Sequence, residues 1–113
     1  MIVYDVINRK HILKAVYELS LLPETESLIN YISSLSAEDR LVLKIVMAIG
    51  REIFYNTQQE YYSKNPSPLT IYEDEKSTQF TGDSHNDAEY LASKIHLTEY
   101  IKCGTTILNC DIS

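Results

Sequence analysis

The chain has no tryptophan, only three glycines and three prolines, and two cysteines in 113 residues. Each shortage excludes something. Gly50, Gly82 and Gly104 stand alone, so no glycine-rich loop can wrap a phosphate. Gly-x-Ser-x-Gly, His-Glu-x-x-His and Cys-x-x-Cys are all missing, and an enzyme is not expected. Cys103 and Cys110 match no metal-ligand spacing, and a disulfide between them would close only a short terminal loop, so both read as reduced thiols. No cofactor is expected. Long apolar runs are missing too: Lys44 and Arg51 interrupt the best stretch, which argues against a membrane span. The first residues have neither the basic region nor the long apolar region of a signal peptide, and a cytoplasmic location is the expectation.

Basic residues are scarce, ten against sixteen acidic ones, which gives a formal charge of −6 and a pI near 4.9. That balance argues against nucleic acid as a partner, because a phosphate backbone repels it. It suits a basic protein partner. A hydrophobic fraction of 44% is ordinary for a globular chain of one domain, here taken as residues 1–113.

What is abundant is helical patterning. Five helices are expected, giving a mainly α, single-domain bundle. Asp5 caps the first, whose Ile12, Leu13, Val16 and Leu19 share one face. Pro23 sits in the first turn of the second, which buries Leu28, Ile29, Ile32 and Leu35. Short connections between these helices argue for antiparallel neighbours. The third helix is the centre of the fold and is expected to run from Ser36 to a stop at Asn65-Pro66. Ser36 is its N-cap, with Glu38 and Asp39 in the first turn. Leu41, Val42, Ile45, Val46, Ile49 and Ile53 form its apolar side. Arg40, Lys44, Arg51 and Gln58 form the opposite one, which reads as a solvated polar face. Gly50 lies at the edge of the apolar side, where a glycine costs about 1 kcal/mol against alanine and implies close approach of another backbone.

Residues 64–83 read as an exposed acidic loop, with Leu69-Thr70-Ile71-Tyr72 as a short edge strand at most. Ser84 is the expected cap of a fourth helix carrying Ala88, Leu91, Ala92 and Ile95. A short fifth helix begins at Thr98 and ends at Gly104. Thr105 to Leu108 has β character and is a candidate to pair with Ile2-Val3-Tyr4.

Two stretches resemble a known family. Leu35-Ser36-Ala37-Glu38-Asp39 leading to Ala48-Ile49-Gly50-Arg51 is the first; Asn86 to Leu91 followed by Leu97 to Gly104 is the second. Together they are similar to a short bacterial family catalogued as a domain of unknown function, number 3775 in that series. The likeness covers roughly residues 24–104. The chain departs from that family's pattern at Val46-Met47-Ala48, where a tryptophan is usual, and at Glu52, where a second glycine is usual. The resemblance implies a small helical bacterial domain and no established activity.

Candidate chemistry is sparse. Asp83, His85, Asp87 and Glu89 suggest a metal-dependent hydrolase, yet only His85 and Glu89 lie one helical turn apart. His96 is roughly 16 Å further along the helix, so no metal site is expected. A Cys103/His96 nucleophile–base pair would be separated by roughly 10 Å on one helix. Gly50-Arg51 is the polar or structural motif singled out, with Arg51 expected to pair with Asp87 or Glu99. Nine tyrosines remain. Phe54, Tyr55, Tyr61, Tyr62 and Tyr72 make up the candidate partner surface. The functional expectation is a non-enzymatic interaction or accessory protein, self-associating as a homodimer or binding another protein. The alternatives are an acidic inhibitor or immunity-type protein and a weak metal-dependent hydrolase.

Overall fold

Helix α4, Ala37–Phe54, is buried from Val42 through Gly50 without a break. A helix buried on all sides must lie at the centre of its bundle, and the others wrap it. The computed structural model describes residues 2–56, 59–64 and 66–113. Around α4 stand α1 (Tyr4–Ile7), α2 (Lys10–Leu19), α3 (Glu26–Ser33), α5 (Gln59–Ser63), α6 (Pro68–Lys76), α7 (Ser84–Ala92) and α8 (Leu97–Ile107). Among the described residues there is no strand. The molecule is a mainly helical bundle measuring 39 × 25 × 24 Å. No helix among the described residues is long and apolar enough to cross a membrane.

The start of α4 follows its sequence. Ser36 Oγ accepts from the Asp39 amide at 3.1 Å, and Glu38 and Asp39 face the positive end of the helix. Its end does not. The helix stops at Phe54, and Asn56 has φ of 56°, a left-handed conformation that asparagine tolerates and that closes a helix. Gln58 and Asn65, expected on this helix and at its stop, lie outside the described residues.

The main packing partner of α4 is α8, which runs antiparallel to it. A Cβ built on Gly50 would stand 1.7 Å from the Tyr100 carbonyl oxygen, and one built on Gly104 would stand 2.2 Å from the Val46 carbonyl oxygen. Gly50 therefore has the role expected of it. Gly104 does not: it lies inside α8, which continues to Ile107, and residues 105–107 are helical rather than strand-forming. Its glycine is required by the neighbouring helix, not by a helix end.

The expected loop at 64–83 is also corrected. Ser67 accepts from the Thr70 amide at 3.2 Å and Pro68 opens α6, so the segment starts with a helix cap and a first-turn proline. This helix, not an edge strand, carries Leu69 to Tyr72, and it turns Ile71 and Tyr72 into the core. The first expected helix is split in two by a turn at Asn8 and Arg9. Arg9 spans that turn: it donates to the Asp5 carbonyl at 2.9 Å and to the Asp39 carboxylate at 2.8 Å, which ties the N-terminus to the start of α4. Asp83 rather than Ser84 caps α7, accepting from the Asn86 amide at 2.9 Å.

Candidate functional site

The side of α4 read as solvated is a buried ion network. Arg40 and Lys44 are each 8% exposed, and between them lies Asp87 of α7, 2% exposed. Asp87 Oδ2 accepts from Arg40 Nε at 2.8 Å, and Oδ1 accepts from Lys44 Nζ at 2.6 Å and from the Gly82 amide at 3.1 Å. Burial alone would push this carboxyl upward; the bonds from Lys44, Arg40 and Gly82 together outweigh it and hold it below the usual carboxylate range. The cations also grip backbone. Lys44 Nζ donates to the Phe80 carbonyl at 3.2 Å, and Arg40 donates to the carbonyls of Leu35 at 2.7 Å and Gly82 at 3.3 Å. Three side chains thus fix the segment before α7 from both directions, and the Phe80 side chain stands 79% exposed on it.

Asp87 was expected to pair with Arg51, and that pairing is not the one formed. Next to Gly50 in the chain, Arg51 is half-buried near Tyr90 of α7. Burial raises the Tyr90 hydroxyl, but hydrogen bonds from Arg51 and Lys94 and their positive charges outweigh it and lower its pKa. Lys94 Nζ also lies 4.1 Å from the centre of the Tyr90 ring, a cation–π contact.

The candidate metal ligands diverge. Asp83 is an N-cap, Asp87 is internal, and His85 pairs with Glu89 on the exposed side of α7. Among the described residues no three His, Cys, Asp or Glu side chains converge on one point. Both Cys103 and Cys110 are free, and burial raises both thiols. Cys103 is held in the protonated, weakly nucleophilic form, and Glu99 adds to that shift. His96 packs instead against Phe54, ring centres 5.1 Å apart.

The aromatic residues divide. Tyr72 is 1% exposed and its hydroxyl donates to Asp5 at 3.1 Å, so it belongs to the core and not to a partner surface. Tyr61 and Tyr62 are half-buried beside Ile49 and Ile71, with the Tyr61 hydroxyl on Asp74. Phe54 and Tyr55, at the C-terminal end of α4, are exposed. Phe54 meets Tyr55 edge-on at 5.0 Å and Tyr100 at 5.6 Å, and the Tyr100 hydroxyl donates to that of Tyr55 at 3.3 Å.

Beside this cluster lies apolar surface that sequence reasoning missed. Ile95, expected on the buried stripe of α7, is 93% exposed in the turn to α8. Leu21 and Leu22, at the end of α2, are exposed as well, and Leu22 shares a shallow groove with Ile95. The sequence signal was the Leu21-Leu22-Pro23 run, apolar residues placed where a helix ends and nothing follows to cover them. No family model matches the chain, and neither the curated proteins nor the solved structures include one that is significantly similar to it.

Proposed function

We propose that this chain is a non-enzymatic protein-interaction module, an accessory protein of the bacterial cytoplasm. The observation that carries the reading is the exposed apolar end of the bundle, where Leu21, Leu22, Phe54, Tyr55 and Ile95 remain in water. Other exposed large side chains, Ile2, Tyr4, Phe80 and Tyr90, lie away from this end. The charged Arg40, Lys44 and Asp87 are committed to internal contacts. An apolar area of this kind, rimmed by polar residues, is what a protein partner covers. The kinship with the bacterial family of unknown function belongs to the same proposal, since Gly50 and Gly104, which both lie in the resembling stretches, are helix-crossing residues.

A photo-crosslinking residue placed at Ile95 tests the reading. Irradiation in cells should yield a discrete protein adduct that a probe at exposed Glu73 does not yield. A smear identical at both positions would overturn it.

A second reading, an acidic inhibitor-type protein, is favoured by Phe80. Its backbone is pinned by Lys44, its ring is exposed, and Asp83 is nearby in the chain, which suits a basic surface with an apolar pocket. An adduct from a probe at Phe80, with none from Ile95, would favour this reading over the first.

A further inference from the structure

Building on the interaction-module reading, we infer that the occupant of the apolar end is a second copy of this chain, seated across a two-fold axis. The face lies at one end of the bundle. Ser20 and Thr98 hydroxyls meet at 2.7 Å, joining the end of α2 to the start of α8. Leu22 and Ile95 line one groove there. His96, next in the chain, stacks on Phe54, which in turn meets Tyr55. The groove at Leu22 and Ile95 and the groove beside Phe54 meet at Thr98, which places these residues on one end of the bundle.

Its area suits a copy of itself. The exposed parts of Leu21, Leu22, Phe54, Tyr55 and Ile95 amount to on the order of 500 Å², the size of the largest, often functional, apolar patch of a monomer. A two-fold contact counts that surface twice, which brings the total to about 1,000 Å², the lower bound of a specific interface. A self-complementary pairing also needs no partner of different shape.

Charge selects the same occupant. With a formal charge of −6, copies of the chain repel one another over most orientations. Here the signs balance. Glu24 and Lys94 flank the groove at Ile95, and Glu99 and Lys102 flank the one beside Phe54. A two-fold axis lets the acids of one copy face the lysines of the other. A strongly basic partner would meet Lys94 and Lys102 here as well as the acids.

Sedimentation velocity on the purified chain at tens of micromolar tests the inference. The expected mass is near twice 13.0 kDa. Ile95→Asp places like charges across the axis and should weaken the dimer by about tenfold or more. Because Ile95 is 93% exposed, the variant keeps its helical circular dichroism. Phe80→Asp, at an exposed aromatic away from this end, should leave the mass unchanged. A monomer at these concentrations, or a dimer indifferent to both Ile95→Asp and Leu22→Asp, would overturn the inference. The crosslink at Ile95 separates the two levels. An adduct made of two copies of this chain supports both. A different protein in the adduct, with the purified chain monomeric, defeats the second copy and leaves the interaction module standing.

Discussion

Gly50 and Tyr100 touch through backbone alone: a Cβ on Gly50 would fall 1.7 Å from the Tyr100 carbonyl oxygen and 2.5 Å from its carbon. Four residues away on each helix the relation repeats with roles exchanged, Gly104 against Val46. The antiparallel crossing is therefore closed by two glycines, one from each helix, and the backbones approach as side chains would forbid. Gly50→Ala should cost about 3 kcal/mol or more, because backbone cannot yield as a rotamer can. Gly104→Ala should follow the same direction, while Gly82→Ala, whose Cβ meets only Asp87 Oδ1 at 3.6 Å, should be near neutral. Urea denaturation midpoints decide the matter. Helix propensity alone would make the first two replacements stabilising by about 1 kcal/mol, so a raised midpoint would refute the crossing.

Removing Asp87 leaves two buried cations without a counter-charge. Asp87→Ala should destabilise by about 3–5 kcal/mol, more than Lys44→Met, which leaves the Arg40–Asp87 pair intact. The acid side of the stability curve carries the same signature. The folded carboxyl titrates below its unfolded value, so its contribution is complete above the ordinary aspartate range and fades as pH falls through and below it. Wild type should therefore lose stability on acidification below about pH 4 more steeply than Asp87→Asn. Parallel acid limbs in the two proteins would show that the network carries no linkage.

The sequence made part of this legible and concealed part for definable reasons. Ser36 and its following acids announce α4, because a cap is a local device and local chemistry survives in sequence. The burial of Arg40 and Lys44 could not be read that way. Helical spacing puts them opposite Ile45 and Ile49, and only the distant Asp87 turns that side inward. Gly104 looked like a helix end since the crossing that requires it comes from Val46, nearly sixty residues earlier. For α6 the signal was present: Ser67-Pro68 is a cap and a first-turn proline. The charged run Glu73 to Lys76 hid it, as the buried side chains Ile71 and Tyr72 occupy only a narrow stripe. Of the aromatic residues singled out, Phe54 and Tyr55 are exposed and Tyr72 is buried in the core, while the exposure of Ile95 went unread because its helix ends at Ala92, one turn before the pattern suggested.

The tyrosines should ionise in a defined order. Tyr90 comes first, its hydroxyl lowered by Arg51 and Lys94 against the opposing effect of burial. Tyr61 is raised to about 12 by its bond to Asp74, Tyr62 to about 12 by burial, and Tyr100 to about 12 by its bond to Tyr55. Groups raised on folding contribute stability that is complete below the unfolded value near 10 and is lost as pH climbs toward 12. An absorbance titration at the phenolate band should show an early step that Tyr90→Phe removes and Arg51→Ala shifts upward. Further steps should coincide with loss of helix. A single titration near the free-tyrosine value, unchanged by Tyr90→Phe, would contradict the assignment.

Tyr72 decides whether residues 64–83 form a structural element or a surface loop. Its ring is fully enclosed and its hydroxyl donates to Asp5, so α6 is fastened to the N-terminal turn as well as to α4. Lys76 adds a second tie to Asp5 at 3.6 Å, on the exposed side. Tyr72→Phe keeps the packing and removes one hydrogen bond, which should cost about 1 kcal/mol. Tyr72→Ala opens a cavity and should cost about 3–5 kcal/mol. Lys76→Ala should cost well under 1 kcal/mol, since an exposed ion pair contributes little. In amide hydrogen exchange, Tyr72 to Lys76 should be protected to nearly the global unfolding free energy in wild type. In Tyr72→Ala that protection should fall together with the denaturation midpoint. Rapid exchange across this stretch in wild type, or a neutral Tyr72→Ala, would return the segment to the status of a loop.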